Sequence, residues 1–476
     1  MFRSAFLILS GNTLGSVLLL ARSLVIARLI SVENFGIAST FALSMSIVEM
    51  MSALGLQQQI VQHADGDSPH LQAALQGFQL LRAALSSTML LLLAAPIATF
   101  FGIPQVAWAY RVMAILPLLN GVTHFDIYRL NRHMNYLPGI LATVISVALS
   151  LILVFPLAHI FGDYRVMLFA VVAQTITAIL VSHLVARRPY RITLDRKIMR
   201  EGFHFGWPVL LNGILLFAVF NGERMIVGRE LGMASLAVFS LAFSLILTPT
   251  LVMEKSGQSF FLPQLSVART NPDRFRHIAM VTFETHLLFG AVTVVGIALL
   301  GQPIVHLLLG AKYAAALPLL TWLAIMQGIR VAKGGSSTVS LSWAHTENGL
   351  VASLMRVALL PLAWYIVAHG GNLIQMIWIG TAGEIVGFAA ALLMTRRRLR
   401  QHLHLSLAPL TLPLASTIAL YSLACIYAAD QSLYRPTALP QLLTGGLLLI
   451  LLALAAIAMK DLRLFIANRS NPSKSV

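Results

Sequence analysis

The chain has 476 residues, of which 58% are hydrophobic and only 11% charged, and its mean hydropathy is +0.82. That balance excludes a soluble globular protein and points to one integral membrane domain. The net charge of +16 would suit nucleic acid, but the basic residues flank apolar runs and leave no soluble basic domain to hold a duplex, so no nucleic-acid partner is expected.

From the N-terminus, a charge and an apolar run resemble a secretory signal, yet the apolar pattern resumes beyond Arg22 and reads as a retained first helix. Fourteen apolar stretches follow one another at 4–30, 35–56, 72–101, 105–128, 137–158, 163–186, 203–228, 233–256, 273–300, 314–342, 348–369, 372–395, 406–429 and 437–458. Each is about long enough to cross a bilayer. The connections are short and marked by Pro and Gly, as at Ser68-Pro69, Gly102-Ile103-Pro104 and Pro138-Gly139. The expected fold is all-α and integral to the membrane, with about 14 transmembrane helices.

The longest basic connection, at 187–202, falls after the sixth stretch and reads as a seam between halves. A weak internal repeat agrees. SVENFGIAS (31–39) resembles LGMASLAVFS (231–240), FFGIPQVAWAYRVMAI (100–115) resembles LLGAKYAAALPLLTWLAI (308–325), and RHMNYLPGILATV (132–144) resembles AHTENGLVASLMR (344–356). The expected organisation is two pseudo-repeated six-helix lobes, 1–186 and 203–395, joined by a cytoplasmic linker at 187–202. A basic loop at 396–405, a C-terminal helix pair at 406–458 and a cytoplasmic tail at 459–476 complete it.

Fixed charges lie where lipid is expected. Arg22, Arg82, Arg224, Lys255, Arg330, Lys333 and Arg356 sit in or near apolar stretches. One such cation at a helix centre costs roughly 2.5–3.5 kcal/mol, so seven facing lipid would cost about 20 kcal/mol, as much as the stability of a whole domain or more. Some must snorkel, and the others are expected to line a wet cationic cavity that suits an anionic substrate. Arg330 and Lys333 are one turn apart; ion pairing with Glu347 or Glu384 would explain them equally. Glu49, Glu223, Glu254, Glu284 and Glu384 are embedded acids. They are candidates for ion coupling to H+ or Na+, with structural counter-charge as the alternative role. Polar stripes run along several spans, including Ser240, Ser244, Thr248, Lys255 and Ser259, and Asn12, Ser16 and Ser23 beside Arg22; close helix packing accounts for their Ser and Thr members as well. Cys425 is the only cysteine, so no disulfide within the chain is expected. His402 and His404 make a poor metal site. No catalytic constellation, metal site or cofactor motif is visible.

ARSLVIARLISVENFGIAS (21–39), LGLQQQIV (54–61) and HLLLGAKYAAALPLLTWLA (306–324) together resemble the polysaccharide-transporter branch of the multidrug/oligosaccharidyl-lipid/polysaccharide exporter superfamily, the Wzx-type O-antigen and exopolysaccharide flippases. The resemblance covers nearly the whole chain. It implies a non-enzymatic flippase in the bacterial inner membrane, with alternating access between two lobes. The implied substrate is a polyprenyl-pyrophosphate-linked oligosaccharide whose tail stays among membrane lipids, and polysaccharide polymerase and chain-length proteins are the implied partners. A lipid II flippase and a multidrug antiporter of the same superfamily remain alternatives. An O-antigen polymerase or ligase is a more distant one, since no long external loop is present to carry catalytic residues.

Alternating the fourteen stretches from a cytoplasmic N-terminus puts most of the 33 lysines and arginines on the cytoplasmic side. Both termini are then cytoplasmic. Reporter fusions after residues 195 and 400 are expected to report the same, cytoplasmic, side; opposite signals would break the fourteen-span reading.

Overall fold

The computed structural model describes residues 2–52, 54–403, 408–429 and 438–470, and within them every regular element is helical. The chain divides into two compact units, Met1–Ala237 and Val238–Val476. This division falls inside a helix rather than in the 187–202 connection. Among the described residues nine helical runs are long and apolar enough to span a membrane, or eleven when two bent pairs each count as one span; the sequence-based count is fourteen. Many large apolar side chains face outward, Leu92, Ile152 and Ile426 among them, as a lipid-facing surface requires.

The first unit contains α1 (Phe2–Leu29), α2 (Val32–Ser52), α3 (Leu56–Gln62), α4 (Pro69–Phe100), α5 (Ala107–Met113), α6 (Ile115–Gly121), α7 (Asp126–Arg132), α8 (Leu137–Phe161), α9 (Arg165–Leu184) and α10 (Arg196–Ile226). Ser68 starts α4 by accepting the Leu71 N–H, with Pro69 in the first turn where its missing donor costs nothing. The span expected at 105–128 is broken into α5, α6 and α7, with a 49° bend before Asp126. The freed backbone at the break is satisfied from α4. Gln76 Nε2 donates to the Gly121 carbonyl at 3.1 Å and Gln79 Nε2 to the same oxygen at 3.1 Å, while Gln76 Oε1 accepts the Phe125 N–H at 2.9 Å. Asp195 caps α10 by accepting from the backbone of Lys197 and Ile198. The helix therefore starts inside the expected linker and packs on α2 and α4.

A π-helical turn at Val227–Leu231 links α10 to α11 (Gly232–Ala268). Sixty consecutive helical residues would run about 90 Å, three times the hydrocarbon thickness. Gly232, at φ 82° and ψ 176°, interrupts the run. Just beyond it, Gly36 of α2 faces the Met233 carbonyl so closely that no side-chain carbon would fit.

The second unit holds most of α11, then α12 (Pro272–Leu308), α13 (Leu317–Leu341), α14 (Glu347–Val357), α15 (Leu360–Ala368), α16 (Leu373–Leu403), α17 (Thr411–Ala429), α18 (Ala438–Ala458) and α19 (Lys460–Ser470). The span expected at 348–369 is split into α14 and α15, Pro361 standing in the first turn of α15. Residues 459–476, expected as a tail, begin with α19, which bends away from α18 by 72°. Leu462 and Phe465 pack into a core with Phe261, Leu265 and Phe275.

The sequence repeat has a backbone counterpart. Gly102 at φ 70° and Gly310 at φ 81° each follow a long helix and lead into a short 3₁₀ turn. Met134 and Ala344 are the only non-glycine residues with positive φ among those described. They sit in matching helix ends: the Met134 and Asn135 N–H groups bond the Asn131 and Leu130 carbonyls, and those of Ala344 and His345 bond Leu341 and Ser340. This geometry pairs Met134 with Ala344, a few residues off the register that Asn135 and Asn348 suggest.

α12 and α13 meet at two glycines. A Cβ on Gly290 would stand 2.5 Å from the Gly328 carbonyl oxygen, whereas one on Gly296 would meet nothing within 4 Å. Gly290→Val is therefore expected to destabilise by about 1–3 kcal/mol through overpacking, read as a lowered Tm in detergent. Gly296→Ala, on the same helix, is expected to be neutral or slightly stabilising.

Candidate functional site

The second unit gathers four of the embedded charges at one point. Glu384 on α16 is fully buried. Its Oε1 accepts from Arg330 Nε at 2.8 Å and from Arg356 Nε at 3.0 Å, and its Oε2 from Lys333 Nζ at 2.7 Å. Arg330 Nη1 also donates to Gln327 Oε1 at 3.1 Å. Gln327, Arg330 and Lys333 are successive three-residue steps along α13, which puts them along one side of the helix. Arg356 comes from α14. That helix can approach because Glu384 lies within Gly383-Glu384-Ile385-Val386-Gly387, a small-residue spacing. A Cβ on Gly387 would stand 2.8 Å from the Ala352 carbonyl, and one on Gly383 would stand 3.1 Å from Arg356 Cδ.

Three cations thus share one carboxylate. Lys333 is the most accessible of them, its side chain 12% exposed against 6% for Arg330 and 2% for Arg356. A second acid, Glu254 on α11, lies against α13, its Oε1 3.4 Å from where a Cβ on Gly334 would stand. It is half-buried and makes no hydrogen bond among the described residues. The neighbouring Lys255 is exposed. Below the ionic cluster a neutral knot fixes the same three helices: Thr395 Oγ1 meets Ser336 Oγ at 2.8 Å and Ser340 Oγ at 2.7 Å, and Asn348 Nδ2 donates to Ser340 at 2.7 Å.

The first unit treats its embedded cation differently. Arg22 on α1 is buried and donates to Ser150 Oγ of α8 at 2.9 Å and, closely, to Gln174 Oε1 of α9. Both acceptors are neutral, and no carboxylate pairs with it among the described residues. Of the other first-unit candidates, Arg82 is half-buried on α4, and on α10 Arg224 is half-buried and Glu223 buried. The side chain of Glu49, like those of Asn12 and His402 and all of His404, lies outside the described residues.

Two expected partners resolve in the structure. Glu384, rather than Glu347, meets Arg330 and Lys333; Glu347 pairs with Arg398 at 2.6 Å. Glu284 is committed to the backbone, its Oε2 accepting the Leu462 N–H at 2.6 Å at the start of α19, beside a His277–Asp461 pair at 2.9 Å. The sequence reading missed Asp67, which gathers Arg129, Arg132 and His133. His133 and the two arginines hold its carboxyl below the usual carboxylate range. Asp126, an acid expected near a membrane interface, is buried against Arg129 at 2.6 Å. Asp126 meets a partner one turn along its own helix, whereas the partners of Asp67 come from α7 and the residue after it, distant in sequence.

These elements define a polytopic helical membrane protein with cations held inside its helix bundles. The fold is similar to that of the lipid II flippase MurJ in its inward closed conformation, with TM-score 0.69 and 15% identity over 98% of this chain and 99% of that one. It is equally similar to an inward-facing multidrug resistance MATE family transporter of the MOP superfamily, with TM-score 0.69 and 15% identity over 81% of this chain and 95% of that one. Residues 25–318 match the family described as polysaccharide biosynthesis protein, and the chain belongs to that family. It is 25% identical to the succinoglycan biosynthesis transport protein ExoT of Rhizobium meliloti (strain 1021) over 399 residues, 78% of each chain.

Removing one partner of a buried ion cluster leaves the rest uncompensated, at about 3–5 kcal/mol. Glu384→Gln is expected to lose folded protein in size-exclusion chromatography. Lys333→Gln leaves Glu384 with two guanidinium partners and is expected to stay monodisperse.

Proposed function

We propose that this protein is a flippase that carries a polyprenyl-pyrophosphate-linked oligosaccharide across the bacterial inner membrane for surface polysaccharide synthesis, by alternating access. The observation that carries the reading is the gathering of embedded positive charge: Arg330, Lys333 and Arg356 around Glu384 in the second unit, and Arg22 held by neutral acceptors in the first. A pyrophosphate is drawn to such a gathering of cations, and guanidinium groups bind phosphate oxygens in pairs. An organic-cation pump would call for the opposite surplus. Family membership and the ExoT relative support the polysaccharide context.

In this reading Lys333 and Arg330 hold the pyrophosphate, and Arg356 with Glu384 positions them. Among the embedded acids, Glu254 is the candidate for coupling to H+ or Na+. Glu384 is saturated by three cations and Glu284 by backbone, whereas Glu254 is close to the cluster without a hydrogen bond.

The test is transport of a defined lipid-linked oligosaccharide in proteoliposomes, with protein amount measured alongside. Losing one charge-assisted contact costs on the order of 1.5–3 kcal/mol, about tenfold or more in affinity. Lys333→Gln is expected to reduce transport by that factor at normal abundance, and Arg330→Lys to keep part of the activity. Glu254→Gln is expected to remove the response to a pH gradient with the protein still inserted. Wild-type rates in the Lys333 and Arg330 variants would overturn the cationic-site reading.

A further inference from the structure

The basic connection after α9 is fastened down. The Thr193 N–H donates to the Ala73 carbonyl of α4 at 3.0 Å, and Gly77 leaves room for the Thr193 carbonyl. Between this connection and α4 lies a cavity of about 250 Å³, walled by Gln72, Gln76, His124, Arg188 and Arg191. Arg188 Nη1 donates to Gln72 Oε1 at 3.2 Å. No carboxylate pairs with Arg188 or Arg191 among the described residues, and the nearby acids are committed elsewhere. Asp126 accepts from Arg129 Nε at 2.6 Å and from the Arg187 N–H at 2.8 Å. Asp195 meets His70 at 3.0 Å and caps α10.

One wall of the cavity is a buried histidine. His124 is 2% exposed, and its Nδ1 accepts the Asp126 N–H at 3.1 Å. A backbone N–H can only donate, so the proton of the neutral ring sits on Nε2. That Nε2–H points to the Arg188 carbonyl, with which it makes only a loose, poorly aligned hydrogen bond. A loosely bonded buried donor, in one cavity with two guanidiniums that no carboxylate pairs among the described residues, is a site shaped for an anion. Positive charge for membrane insertion explains basic residues in this connection, but requires neither the cavity nor the buried histidine.

We propose that this cavity binds a phosphate group, gripped by Arg188 and Arg191 with the Nε2–H of His124 beneath it. The group comes either from the headgroup of an anionic phospholipid or from a phosphate in solution. The site lies wholly within the first unit and is independent of the transport reading above.

The experiment uses the full chain in phosphatidylcholine nanodiscs. One arm titrates inorganic phosphate and follows the Tm; the other adds phosphatidylglycerol and counts retained lipid by native mass spectrometry. Wild-type protein is expected to bind in at least one arm, with binding weakened at least tenfold in Arg188→Gln/Arg191→Gln. A response to inorganic phosphate identifies a solution ligand; retention of phosphatidylglycerol alone identifies a headgroup. Arg196→Gln/Arg200→Gln, on α10 outside the cavity wall, is expected to bind as wild type. Equal weakening in both double variants would mean nonspecific charge attraction and overturn the site, as would no binding in either arm or binding unchanged by the cavity variant.

Discussion

A guanidinium taken out of water must be given hydrogen-bond acceptors, and inside a bilayer only the protein can supply them. The two units meet this demand in different currencies. Around Arg22 the acceptors are a serine and a glutamine, which satisfy N–H groups and leave the charge intact. Around Glu384 a carboxylate satisfies three cations together and cancels only one of their charges. Desolvating such a cluster gains little stability over an apolar core of the same volume. Its persistence is therefore more informative about function than about folding, which is why it carries the proposed reading.

Meeting that demand shapes the helices. Arg356 reaches Glu384 because α14 slides against two glycines on α16, and a larger side chain there would push the pair apart. The same logic governs the break between α6 and α7, where two glutamines on α4 stand in for the lost helical bonds. Irregular backbone at membrane depth is tolerated where neighbouring side chains close it, and its site is then fixed by those side chains.

Much of this was legible in the sequence. The helical class and the ends of most spans follow from hydropathy, and the convergence of Arg330 and Lys333 follows from their spacing along one helix. The Gly383–Gly387 spacing was equally visible, and it marks where α14 packs on Glu384. What the sequence does not carry is the pairing of distant elements. Nothing in the spacing of Ser150 or Gln174 announces a contact with Arg22, and Glu347 and Glu384 are equivalent partners until α14 and α16 are placed. The span at 105–128 looked continuous because its hydropathy is; the glutamines that close its break lie on another helix. Asp67 was overlooked because loop acids ordinarily face water.

The unequal count at Glu384 also has an electrical consequence. With all four groups ionised the cluster bears two surplus positive charges, and it sits in spans that cross the membrane field. Each elementary charge moved through 100 mV exchanges about 2.3 kcal/mol with the membrane potential. A cluster neutralised by a bound dianion moves through that field without work, whereas the empty cluster does not. Under the proposed alternating-access reading, a step that carries the unloaded cluster across part of the field is driven or opposed by the resting potential, so the voltage biases the orientation of the empty protein.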